Sequence, residues 1–216
     1  MKRSSKIKVS DIRRAIRDIR KLDVDLRKLG TRATPDIVGF FGELVAWKEL
    51  KSKFGWRGFR VQFGSGQSKA DIVLVKRDRK INIEVKTSRL KKEQPGLVYG
   101  FAINIKKCIH PKHPKVTYSH PKKGKITGGF CYFDYLLLVT LLDDLKDPKF
   151  YVFPRKFLET NEKLLRNKSK RFSSGSHRVI FVEKPNKKDQ KEITSLDRRL
   201  TKNKRKYQNA WHLIKP

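Results

Sequence analysis

From Ser10 onward, apolar residues recur at helical spacing: Ile12, Ile16, Ile19, Leu22, Leu26 and Leu29 fall three or four positions apart, and Gly30 supplies a stop. This predicts a basic N-terminal helix within residues 1–33. Thr34 followed by Pro35 reads as the next helix start, with Thr34 as N-cap and Pro35 in the first turn. The second helix extends to about Phe54. It is apolar around most of its circumference through Ile37, Phe40, Phe41, Leu44, Val45, Trp47 and Leu50, which predicts burial.

Past Gly55 the period changes to two. Phe59–Phe63 alternates, Gly64–Lys69 is a turn-rich connection, and Asp71–Val75 is a nearly continuous β-branched run. Lys76–Lys80 reads as a polar turn, after which Ile81, Ile83 and Val85 share one face of a strand over Ile81–Ser88. Tyr132–Leu141 is apolar enough for a central strand, and Phe150–Phe153 and Val179–Val182 read as shorter ones. Beyond Lys184-Pro185-Asn186 the stripe Leu196, Leu200, Tyr207 and Trp211 predicts a last helix, with Thr194 and Asp197 as its capping box. The order of elements indicates an α/β or α+β fold. One compact domain is expected: the N-terminal helix, a core over 34–182 with a basic loop inserted at 106–129, and a C-terminal helix over 183–216.

Charge adds a partner to this picture. The 216 residues include 54 Lys and Arg against 21 Asp and Glu, a formal charge of +33. Self-repulsion of that size opposes a compact state, and a polyanion relieves it; nucleic acid is the commonest such partner. The runs Arg13–Arg20, Lys163–Arg171 and Arg198–Lys206 each read as solvated helix faces, and together they include a phosphate-tracking surface. No apolar run approaches the roughly 18 residues of a membrane span, and no apolar segment follows the basic start at Met1–Ser5. Cys108 and Cys131 make no disulfide framework. A cytoplasmic, nucleoid-associated protein with no membrane partner is expected.

The candidate chemistry lies between Gly39 and Ser88. With a turn near Asp78 and Arg79, Asp71 falls opposite residues 84 to 86, and Glu84 and Lys86 share a strand face while Ile83 and Val85 point the other way. Two carboxylates and an ammonium then converge. Asp71 and Glu84 are hard oxygen ligands suited to Mg²⁺, a cation that polarises phosphate, while Lys86 can orient water or stabilise charge on the phosphorane-like transition state. The bland alternative is a solvated strand face with an ion pair, because a lysine-rich chain makes Glu-x-Lys by accident. Glu49-Leu50-Lys51 is one such accident, but on a helix, where residues two apart diverge. Glu43 lies on the buried helix with Phe40 and Trp47 one turn away on either side, so an unsatisfied carboxylate there would be costly.

Glu43, Asp71-Ile72-Val73 and Ile83-Glu84-Val85-Lys86 together resemble the PD-(D/E)xK nuclease superfamily, the fold of many type II restriction enzymes and archaeal Holliday-junction resolvases. The resemblance covers about fifty residues, from Gly39 to Ser88. It implies a restriction-endonuclease-like core, a mixed central sheet flanked by helices, to which the N- and C-terminal helices are additions. It further implies metal held by Asp71, Glu84 and the backbone carbonyl of Val85, with Lys86 as catalytic lysine and Glu43 reaching the metal directly or through water. Mg²⁺ is the implied cofactor, with Mn²⁺ able to substitute. Gly64–Ser68 is similar to the small-residue loop before the aspartate in resolvase-like members, but Ala70 stands where many members have proline.

The function expected is therefore a DNA endonuclease of type II restriction-like, double-strand-cutting character, working as a homodimer. The alternatives are a Holliday-junction resolvase, a nuclease acting on RNA, and a non-catalytic DNA-binding protein that keeps a nuclease fold. About 100 residues follow the hairpin, room for sequence-reading elements, which favours the restriction type. Candidate DNA contacts are Gln67, Ser68, Lys69, Ser88, Arg89, Lys106, Lys107, Lys122 and Lys123. Cys108, His110, His113, His120 and Cys131 fall in one stretch, but their spacing matches no closed zinc pattern, and zinc is not expected.

Overall fold

The computed structural model describes residues 7–64, 70–89, 98–104, 117–120, 124–127, 133–160, 176–182, 202 and 205–215. Two long helices open the chain, α1 (Val9–Lys28) and α2 (Pro35–Phe54). Helix α2 starts where the sequence placed it. Thr34 Oγ1 accepts a hydrogen bond from the Ile37 N–H at 3.5 Å, and Pro35 occupies the first turn, where a missing N–H costs nothing. Val38, Phe41, Leu44, Val45, Trp47, Leu50 and Phe54 are buried, and the Trp47 indole donates to the Val61 carbonyl at 3.1 Å. Phe40 departs from expectation: it is 51% exposed, so the helix has a solvent-facing side.

Helix α1 corrects the expected stripe. Leu22 and Leu29 are exposed, and the three–four spacing from Ile12 through Ile16 and Ile19 continues to Asp23 and Leu26. Asp23, 1% exposed, is satisfied from three directions. Arg27 donates to it at 2.9 Å, Arg89 at 2.7 Å, and the Ala33 N–H at 3.2 Å. Arg27 in turn bonds the carboxylate of Asp143 at 2.9 Å. Burial pushes the Asp23 carboxyl up, but the hydrogen bonds of Arg27, Ala33 and Arg89 prevail and hold it below its usual range. A carboxylate with a depressed pKa stabilises the fold above its unfolded pKa of about 4, and that stability is lost as pH falls through the lower folded value. Asp23→Asn strands the buried Arg89 guanidinium and is expected to cost about 3–5 kcal/mol. Denaturant melts at pH 7 check this; a shift below about 1 kcal/mol would show that the pair is replaceable.

The main sheet has five strands in the order β1-β2-β3-β7-β8. Strands β1 (Arg60–Phe63), β2 (Ile72–Lys76) and β3 (Arg79–Arg89) form an antiparallel meander. Between β3 and the next strand of this sheet lie β4 (Val98–Asn104), β5 (Thr117–His120) and β6 (Gly124–Thr127). Strand β7 (Tyr135–Leu141) then runs parallel to β3, and β8 (Lys149–Pro154) antiparallel to β7. Helix α3 (Arg155–Thr160) follows, and β9 (Ser176–Val182) pairs with β4 in a separate two-stranded sheet. Helices, a three-strand antiparallel meander and a parallel strand added beside β3 make this a mixed α/β fold, the class that the order of elements in the sequence indicates.

Both faces of the sheet are covered. Ile72, Leu74, Ile81, Ile83, Val85, Leu137 and Val139 belong to the core that α2 completes. On the opposite face Leu136, Leu138, Tyr151 and Phe153 are buried too, and Tyr207 packs on Phe153 with ring centroids 4.6 Å apart. Two expectations for the later chain are corrected. The basic insertion at 106–129 is not all loop, because β5 and β6 pair antiparallel within it. The C-terminal stripe is not one helix through Trp211: helix ends at Tyr207, Gln208 bridges to Tyr151, and Asn209 takes a left-handed φ of 49°, which breaks the helical path. Its expected start, Thr194 to Leu200, lies outside the described residues.

Candidate active site

Asp71 stands just before the first paired residue of β2, since the β2–β3 ladder closes with Ile72 opposite Ile83. Its carboxylate takes over where the ladder stops: the Val85 N–H donates to Asp71 Oδ2 at 2.8 Å. The two strands part at this point, and the gap is bridged by the acidic side chain. On β3, Ile83 and Val85 enter the core while Glu84 and Lys86 share the other face, as the alternation predicts. Glu84 is 2% exposed.

The Lys86 ammonium is the centre of the cluster. It lies 2.6 Å from Glu84 Oε1, 3.3 Å from the Val85 carbonyl oxygen, to which it donates, and 4.0 Å from Asp71 Oδ2. These are the three groups that the sequence resemblance assigns to a metal, and one cation of the chain's own already touches them. In this conformation, among the described residues, no three acidic, histidine or cysteine side chains are gathered as a ready cage for an ion.

Glu43 faces the same cluster from α2. Burial pushes its carboxyl up from the usual 4.5 to about 7; the charges of Asp71 and Glu84 add to the rise, and Lys86 offsets part of it. Among the described residues, the carboxylates of Glu43, Asp71 and Glu84 gather around the Lys86 ammonium. The donors are all oxygen, which suits a hard divalent cation such as Mg²⁺, and such a cation would offset the Asp71 and Glu84 charges that add to the burial-driven rise of Glu43.

A glycine that the sequence reading passed over holds α2 at this distance. A Cβ on Gly42 would fall 1.7 Å from Thr87 Oγ1 and 2.7 Å from Thr87 Cβ. Only glycine lets the helix backbone lie against β3 there, and Glu43 is the next residue. The available signal was an isolated Gly inside a helical pattern, which costs about 1 kcal/mol against Ala and so calls for a packing reason.

The expected DNA contacts divide. Gln67, Ser68, Lys69, Lys106, Lys107, Lys122 and Lys123 lie outside the described residues, as do Cys108, His110, His113 and Cys131. Ser88 and Arg89 are placed in the interior. Ser88 is 8% exposed, and Arg89 is held by Asp23 and by the Ala33 carbonyl at 3.2 Å. They follow Lys86 directly in sequence, but the end of β3 runs under the α1–α2 connection rather than into solvent. Among the described residues no helix is long and apolar enough to cross a membrane.

No family model matches this chain, and no curated protein matches it. Solved structures similar to it include a bacterial homing endonuclease, I-Ssp6803I, at 16% identity and a TM-score of 0.42, covering 84% of this chain and 93% of that one. MepB is similar at 12% identity and a TM-score of 0.32, over 74% of this chain and 92% of its own. Likeness of this degree carries no chemistry across, and the reading of the site rests on its side chains.

Proposed function

We propose that this protein is a magnesium-dependent DNA endonuclease of double-strand-cutting, restriction-like type, acting as a homodimer so that two sites address two strands. The observation that supports this most is the meeting of Asp71, Glu84 and Lys86 where β2 and β3 part, with Glu43 brought to them by the Gly42–Thr87 contact. Asp71, Glu84 and the Val85 carbonyl are the groups that would hold the cation, with Glu43 reaching it directly or through water. When bound, the cation neutralises phosphate charge and polarises the scissile bond. Lys86 remains as a hydrogen-bond donor beside the phosphate, able to orient the attacking water and to stabilise charge building on the phosphoryl oxygens. The buried setting of Glu84 and the half-buried setting of Glu43 keep the local dielectric low, so each of these interactions acts more strongly than in water.

The test uses wild-type protein and Asp71→Ala with Mg²⁺ on a long mixed-sequence duplex and a synthetic four-way junction. Discrete fragments from the duplex, absent with Asp71→Ala, are the expected result. Paired nicks confined to the junction would make the enzyme a resolvase. Binding without cleavage of either substrate, in Mg²⁺ and in Mn²⁺, would overturn the catalytic reading for DNA.

A further inference from the structure

The far end of the β2–β3 hairpin carries a second feature, assembled from two stretches separated in sequence. Residues 76–80 are all exposed and hold Lys76, Arg77, Arg79 and Lys80 against the single carboxylate of Asp78. Lys76 and Arg79 are direct cross-strand partners. Like charges placed opposite one another destabilise a sheet, so this pairing is unfavourable for the isolated protein. The turn adds a second cost. Arg77 has a φ of 51°, a left-handed conformation that hairpin turns usually give to Asn or Gly. Positive charge is kept here in spite of the backbone.

The connection from α2 into β1 meets this tip. The Lys76 ammonium lies 5.3 Å from the centre of the Phe59 ring, and the space beside Gly58 is bounded by the Lys76 side chain. Next to it Trp56 is 76% exposed, the most exposed aromatic among the buried and exposed side chains described, and the Arg57 guanidinium is stacked 4.8 Å over its ring. A large indole in water, capped by one cation and close in the chain to residues that touch an unfavourably paired group of others, calls for a partner that is both anionic and flat-faced. Nucleic acid offers phosphate to the cations and sugar or base surface to the indole.

We infer that the hairpin tip, with Lys76, Arg77 and Arg79 beside Trp56 and Arg57, is a nucleic-acid docking site separate from the catalytic cluster. This deepens the nuclease reading and rests on it for the identity of the substrate. Five residue steps along β3 lead from Arg79 to Glu84, about 17 Å. For DNA lying along β3, at about 3.4 Å per step along one strand, the tip would contact phosphates roughly five nucleotides from the bond to be cut.

The test measures binding alone, in EDTA, by anisotropy of a labelled 30-base-pair duplex over a series of salt concentrations. Lys76→Ala/Arg79→Ala removes two phosphate contacts and is expected to lower the slope of log affinity against log salt by about 1.8, without lowering the melting temperature, because repulsion is relieved. Duplex binding should also quench the exposed indole of the wild-type protein, and Trp56→Phe should abolish most of that quenching. An unchanged slope, with wild-type protein still binding duplex, overturns the docking site and leaves the nuclease reading standing. Failure of wild-type protein to bind any nucleic acid overturns both. A double variant that loses binding to phosphatidylserine vesicles but not to duplex would assign the tip to a membrane surface instead.

Discussion

Replacing Lys86 by methionine is expected to slow magnesium-dependent cleavage about a hundred- to a thousandfold, the usual loss for one transition-state donor, while strengthening metal binding. The two effects point in opposite directions because of where the ammonium sits. It lies 2.6 Å from Glu84 Oε1, 3.3 Å from the Val85 carbonyl and 4.0 Å from Asp71. Any divalent cation bound by those oxygens must displace it, and that displacement breaks a charge-assisted hydrogen bond to a buried carboxylate. Methionine keeps the length and apolar stem of lysine and removes the competing charge. Calorimetric titration with Mg²⁺ or Mn²⁺ in the absence of DNA, beside cleavage rates on the same preparation, separates the two roles. Equal losses of metal affinity and of rate would mean that Lys86 helps hold the cation, contrary to the geometry. Cleavage at the wild-type rate would remove Lys86 from the chemistry altogether.

The parts of this site that could be read in the sequence are those set by local rules. Thr34-Pro35 marks a helix start by its own hydrogen bonding, and the alternation of Ile81, Ile83 and Val85 fixes which way Glu84 and Lys86 point. Counting back from the turn brings Asp71 opposite residues 84 to 86; the register extends it to Glu84, and the Val85 N–H reaches its carboxylate. What escaped depends on partners far along the chain. Asp23 occupies a core position in α1 because Arg27, one turn on, and Arg89, 66 residues on, together neutralise it, and the second partner is announced by no pattern within the helix. The same pairing explains why Arg89, three residues after Lys86, is held by Asp23 and not free to act as the DNA contact expected of it. Gly42 escaped for a similar reason: its lack of a side chain matters only because Thr87 lies across from it. The cationic tip combines Trp56 and Arg57 with Lys76 and Arg79, which strand pairing and the contacts of Gly58 and Phe59 with Lys76 bring together.

Glu43→Gln is expected to stabilise the metal-free protein at pH 8 while abolishing most of its cleavage. Glu43 titrates at about 7 in the fold against an ordinary 4.5, first because it is buried and then because Asp71 is close. A carboxyl whose folded pKa is raised binds its proton more tightly folded than unfolded. Below pH 4.5 both states are protonated and nothing is lost; as pH rises from there to about 7 the fold is progressively destabilised, and above 7 the full cost remains. The shift corresponds to about 3 kcal/mol, and solvent screening of a partly exposed group brings it to roughly 1–3 kcal/mol. Glutamine carries no charge at any pH, so the advantage of the variant should be near zero at pH 4.5 and largest at pH 8. Mg²⁺ supplies the missing positive charge and should raise the melting temperature of wild-type protein at pH 8 more than that of Glu43→Gln. Thermal melts at both pH values, with Mg²⁺ and with EDTA, test the whole scheme. A stability difference that is the same at pH 4.5 and pH 8 would show that Glu43 does not carry the repulsion. The expected result would instead mark it as a residue kept for chemistry at the expense of stability, as a metal-binding carboxylate on a buried helix should be.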